Sequence, residues 1–99
     1  MCLEIKKEVN GDDLKISLSG KLDTSTFAGL ENEIEDIDNY KNITFDFKDL
    51  NYISSVGLRI LLKVYKNTLA NDGKLTVINL NETVQTVFEE TGFLDLLNN

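Results

Sequence analysis

The chain has 99 residues, 41% of them hydrophobic, and lacks proline and low-complexity tracts, which suits one compact domain over 1–99 with a modest core. Ten basic against seventeen acidic residues give a net charge of −7, which repels a polyanion and argues against nucleic acid as a partner. The absence of histidine removes the usual base of a Ser or Cys nucleophile and the commonest transition-metal ligand, so a Ser-His-Asp hydrolase is excluded. The single cysteine, Cys2, has no partner for an internal disulfide and makes no metal cluster. No apolar run approaches the roughly 20 residues of a membrane span, and the N-terminal residues lack the pattern of a signal peptide. The expectation is a cytoplasmic protein with protein partners, without membrane, metal or cofactor.

In chain order, Leu3, Ile5 and Val9, then Leu14, Ile16 and Leu18, alternate as two half-buried strands. Residues 10–13, Asn-Gly-Asp-Asp, suit a tight turn between them, so the pair predicts an antiparallel hairpin. Gly20 is expected to end the second strand. Asp23, Thr24 or Ser25 then caps a helix in which Phe27, Leu30, Ile34 and Ile37 recur at helical spacing, ending near Asn39 to Asn42. The acids Glu31, Glu33, Glu35, Asp36 and Asp38 read as its solvated side.

Ile43, Phe45 and Phe47 predict a third, central strand parallel to the second, since a β-helix-β crossover joins them. After Ser55 the apolar period shifts from two toward three and four, which marks a helix start with Ser54 or Ser55 as its N-cap. Leu58, Leu61, Leu62, Tyr65 and Leu69 are expected to form its core-facing stripe, with Arg59, Lys63 and Lys66 along another side. That basic row is either solvated or set to meet an acidic partner.

Asn71-Asp-Gly73 closes the helix with a glycine available for positive φ, and Leu75 to Ile78 form the fourth strand. Asn79 or Asn81 caps a third helix with Val84, Val87 and Phe88 inward. Gly92 stops it, and Phe93, Leu94, Leu96 and Leu97 cover remaining core. The fold class expected is α/β, a four-stranded mixed sheet with its helices mainly on one face.

Loops at the C-terminal ends of parallel strands usually hold the chemistry of open α/β sheets. Residues 20–25, 50–57 and 79–81 should converge there, bringing Asp23 toward Ser55. Asp23 then either bonds the serine or caps its own helix. A serine at a helix N-terminus serves as a cap or as a place for a phosphate. Gly57 would let a partner or a nucleotide phosphate approach the backbone. No Walker motif is present, so the chain is not read as a kinase.

The run from Asp46 to Leu62 resembles the signature of STAS domains, the anti-sigma factor antagonist family, in which an Asp-Ser or Ser-Ser pair precedes a small residue, Gly and Leu. Gly20-Lys-Leu-Asp23 resembles the family's Gly-x-Leu-Asp, and Thr91-Gly-Phe-Leu94 its C-terminal Thr-Gly-Leu. With the element order, the resemblance covers essentially the whole chain. It implies a bacterial partner-switching regulator of transcription, not an enzyme. Its phosphoacceptor would be Ser55, with Ser54 as the alternative, and its partner surface would include Asp23, Thr24, Ser54, Ser55, Gly57, Arg59 and Lys63. The partners implied are an anti-sigma factor serine kinase, bound by the unmodified form so that a sigma factor is freed, and a phosphatase that resets the switch. Many members of the family with this switch carry Asp where this chain has Ser54. A second reading is an interaction or nucleotide-binding module that is never phosphorylated. A hydrolase built on Ser55 and Asp23 lacks a visible base.

Overall fold

The structure, a computed structural model, describes residues 3–93. Four strands form one mixed sheet: β1 (Glu4–Asn10), β2 (Asp13–Leu22), β3 (Asn42–Ile53) and β4 (Lys74–Ile78), side by side in chain order. Between and after them lie α1 (Phe27–Glu33), α2 (Ser55–Ala70) and α3 (Glu82–Thr91). β1 and β2 pair antiparallel around Gly11, at φ 63°, while β2–β3 and β3–β4 are parallel, as the crossovers require. β3 is thus interior, with the C-terminal ends of β2, β3 and β4 at one edge.

The strand alternation is the cause of the core. Leu14 lies beside Ile43 and Ile43 beside Leu75; Ile16 lies beside Phe45 and Phe45 beside Val77. These rows face the helices, and all but the half-buried Val77 are buried. Phe47 of β3 meets Phe88 of α3 edge-on at 6.1 Å, and Phe88 meets Phe93 at 5.0 Å, so α3 is clamped to the sheet centre by aromatic contacts.

Several boundaries differ from the sequence expectation. Gly20 does not end β2: it sits inside the strand at φ 108°, beside the register shifts between Ser17 and Ser19 and between Gly20 and Lys21, where a bulge keeps the strand going to Leu22. The first helix is far shorter than expected. Asp23 to Thr26 form a turn before it, and after Glu33 the chain passes into a short 3₁₀ turn at Ile37–Asn39. The acids explain the early stop: no basic residue occupies the last turn of α1, and Glu31, Glu35 and their neighbours would oppose the negative end of a longer helix. All five acids are exposed, but on a broken rather than a continuous helix. Ile34 and Ile37 still reach the core.

α2 is rotated from the expected stripe. Its buried residues are Gly57, Ile60, Leu61, Val64 and Thr68; Leu58, Leu62 and Tyr65 are only half-buried, and Leu69 is 55% exposed. At its end the positive φ belongs to Asp72, at 58°, not to Gly73. Gly73 is required by proximity instead, since a Cβ there would lie 1.6 Å from the Lys41 carbonyl oxygen. α3 is capped by Asn81, whose Oδ1 accepts from the Val84 amide at 2.9 Å, and closed by Gly92 at φ 77°. Cys2, Leu94, Leu96 and Leu97 lie outside the described residues.

Candidate functional site

The three segments expected at the sheet edge do converge, held by a backbone bond on one side and a side-chain amide on the other. β3 continues to Ile53, so the strand passes into α2 with only Ser54 between, where a longer loop was expected. Ile53 pairs with Leu22 in the parallel register, and the Ser54 amide donates to the Leu22 carbonyl at 2.9 Å. From the other side, the Asn81 side-chain amide donates to the Leu50 carbonyl. Asn81 therefore joins α3 to β3 with one end and caps α3 with the other, a double role that its position before a helix did not reveal.

Ser54 is the N-cap residue, with extended backbone, but its side chain makes no capping bond. Its Oγ is buried and without a partner. Ser55 opens the helix proper and is exposed. The two serines thus differ in kind: one hydroxyl faces inward, the other faces solvent at the positive end of a 16-residue helix. The first intrahelical acceptor is the Ser54 carbonyl, taken by Leu58, which leaves the amides at the start of the turn without helical partners.

Gly57 is buried, and the space left by its missing side chain is filled internally. A Cβ there would stand 2.8 Å from Leu22 Cγ and from Ile53 Cγ1. The glycine lets α2 settle on the ends of β2 and β3, so its requirement comes from packing and not from an approaching partner or nucleotide.

Asp23 is not bonded to Ser55. Its Oδ1 accepts from the Ser25 amide at 2.9 Å and from the Ser25 hydroxyl at 2.7 Å, and the Thr26 hydroxyl lies at 3.4 Å. The Ser25 hydroxyl, above all, holds the Asp23 carboxyl below its ordinary value of 3.8. Thr26, which was not singled out from the sequence, also donates to the Lys21 carbonyl at 2.8 Å and accepts from the Asp23 amide at 3.0 Å. Thr24, adjacent, is exposed.

Around Ser55 the surface is a shallow groove of about 240 Å³ lined by Ser55, Leu58, Arg59, Leu62, Thr91 and Phe93. A second groove, about 380 Å³, runs between α1 and α2 past Phe27, Glu31, Val56, Arg59, Ile60 and Lys63. Arg59 stands on the ridge between them. Lys63 and Lys66 continue its row along α2, exposed. The groove wall supplied by Leu58 and Leu62 was hidden from sequence reasoning because those residues were expected in the core.

The model of the STAS domain family matches residues 4–99. The chain belongs to the STAS domain family. BtrV of Bordetella bronchiseptica is 35% identical over 96 residues, which cover 96% of this chain and 71% of BtrV. The anti-sigma-B factor antagonist of Bacillus subtilis is 22% identical over 98 residues, 98% of this chain and 90% of that protein. Among solved structures, the Bacillus cell fate determinant SpoIIAA in its phosphorylated form superimposes with a TM-score of 0.73 at 23% identity, covering 90% of this chain and 84% of SpoIIAA. The four-stranded mixed sheet and its three helices are the STAS fold. Among the described residues of this STAS domain, no group of three or more Asp, Glu, Cys or His side chains is arranged to hold a metal, and no helix is long and apolar enough to cross a membrane.

Proposed function

We propose that this STAS protein is an anti-sigma factor antagonist, a cytoplasmic partner-switching regulator and not an enzyme, with Ser55 as its phosphoacceptor. The observation that carries the reading is the exposed Ser55 hydroxyl in the first turn of α2, on a groove bordered by Arg59. Relatives of matching length named as antagonists support it, and SpoIIAA is described in both an unphosphorylated and a phosphorylated form.

In this reading a partner serine kinase of the anti-sigma type docks on the edge formed by Thr24, Ser54, Ser55, Arg59 and Lys63. The Ser55 Oγ attacks the γ-phosphorus of the kinase's ATP, ADP departs with the cleaved P–O bond, and the hydroxyl proton is lost to the kinase. The product carries about −1.5 to −2 added charges at the centre of the contact surface, which drives release until a phosphatase hydrolyses the ester. The exposed basic row of Arg59, Lys63 and Lys66 favours an acidic contact on the kinase. Asp23 shapes the neighbouring loop through Ser25 and Thr26 instead of acting on Ser55.

Intact mass after co-expression with the cognate kinase tests the proposal: one added phosphate is expected, mapping to Ser55 and lost in Ser55→Ala. Modification of Ser54, or equal modification of Ser55→Ala, overturns the site. Docking without any modification favours the interaction-module reading.

A further inference from the structure

The geometry points to Arg59 as the residue that captures the phosphate of phosphorylated Ser55 within the same helix, so that modification both adds an anion and withdraws a cation from the partner-facing row. This inference rests on the reading of Ser55 as phosphoacceptor and adds the charge that answers it.

The residues are four apart in an unbroken helix, Ser55 opening α2 and Arg59 one turn on. Such pairs are neighbours on a helix surface, separated by about 6 Å of axial rise. Helical side chains lean toward the N-terminus, so the long Arg59 side chain reaches back toward Ser55 while that of Lys63, two turns on, stays out of range. Both Ser55 and Arg59 line the same groove, whose remaining wall of Leu58, Leu62, Thr91 and Phe93 offers no competing charge.

Arg59 is also uncommitted. Among the described residues the ion pairs are Lys7–Glu33 and Lys15–Asp46, and neither involves α2. The one carboxylate lining its other groove, Glu31 of α1, is not bonded to it. A planar guanidinium meets a phosphate through two parallel N–H···O bonds, which a lysine cannot reproduce. The unmodified protein therefore presents Arg59, Lys63 and Lys66 as a row of three cations, whereas the phosphorylated protein folds the first of them over the groove, where the phosphate outweighs its charge, and leaves only Lys63 and Lys66 to face a partner.

The test needs no kinase. Phosphoserine is incorporated at position 55 during translation, homogeneity is checked by mass, and the phosphate is titrated by ³¹P NMR in the otherwise unaltered chain and in Arg59→Gln, Arg59→Lys and Lys63→Gln, with circular dichroism confirming the fold of each. The second phosphate ionisation should sit about 0.3 unit higher in Arg59→Gln than in the parent, be partly restored in Arg59→Lys, and be unchanged in Lys63→Gln. Equal ionisation with and without Arg59, or an equal rise in Lys63→Gln, overturns the capture. Failure of the cognate kinase to modify Ser55, scored separately by intact mass, would instead remove the functional reading while leaving the phosphate measurement to stand on its own.

Discussion

The amide of Ser54 donates to the carbonyl of Leu22 at 2.9 Å, and through that bond the last residue of β2 sets the position of the N-cap residue of α2. The phosphoacceptor candidate follows at once in the chain. Its placement is therefore fixed by a strand that is remote in sequence, and substitutions that loosen this junction should register in both stability and modification.

Gly57 tests the junction directly. A Cβ there would meet the buried side chains of Leu22 and Ile53 at 2.8 Å, a degree of crowding that costs about 1–3 kcal/mol, against about 1 kcal/mol recovered by removing glycine from a helix. Gly57→Ala should lose roughly 1 kcal/mol in urea unfolding. Gly73→Ala should lose more, because the Cβ would strike the Lys41 carbonyl oxygen, a backbone atom, and disturb the hydrogen bonds that the Gly73 amide donates to the Thr68 carbonyl and the Lys74 amide donates to the Lys41 carbonyl. If Gly57→Ala is the more damaging of the two, the geometry described for these glycines is wrong.

Ser54→Ala should behave unlike an ordinary N-cap replacement. Loss of a capping serine normally costs about 1 kcal/mol, but here the hydroxyl makes no capping bond and is buried without a partner. Stability is expected to stay within about 0.5 kcal/mol of the parent or to rise by up to about 1 kcal/mol, as an unsatisfied polar group is removed. A loss above 1 kcal/mol in thermal or urea unfolding would mean that the Ser54 hydroxyl does stabilise the start of α2.

Asp46 should impose a pH dependence. Its Oδ1 accepts from the Asn79 side chain at 3.0 Å and from the Lys48 amide at 3.0 Å, and the Asn79 amide, followed by the Lys48 N–H, holds the carboxyl below its ordinary 3.8. A carboxyl depressed in the folded state binds its proton less readily there than in the unfolded chain. Its contribution is thus complete above the unfolded value and fades as pH falls through the folded one. Asp46→Ala should be less stable than the parent near pH 7, and the gap should close below about pH 4. A gap that is constant from pH 7 to pH 3 would show that the carboxylate charge is immaterial.

Arg59→Glu combined with Lys63→Glu should slow association with the cognate kinase at low salt by tenfold or more and leave thermal stability nearly unchanged, since both side chains are exposed. The effect should shrink as salt is raised. Stopped-flow rates that match the parent at low ionic strength would identify the row as merely solvated.

The order of strands and helices was legible in the chain because each is announced by its own period: alternation in Leu14, Ile16 and Leu18, again in Ile43, Phe45 and Phe47, and the change of period after Ser55. The parallel pairing of β2, β3 and β4 followed from the crossovers, and with it the edge where the candidate site lies. Local pattern alone did not set the rotation of α2. Its apolar residues cover more than half the helix circumference, so Leu58, Leu62 and Tyr65 were as eligible for the core as Ile60 and Val64. The tertiary structure decided between them, because the Leu22 carbonyl anchors one end of the junction and only glycine fits against Leu22 and Ile53 one turn later. The same contacts turn Ser54 inward, Ser55 outward and Arg59 onto the groove. Asp23 faced a comparable choice, and the amide and hydroxyl of Ser25, two residues on, occupy its carboxylate oxygen instead of Ser55.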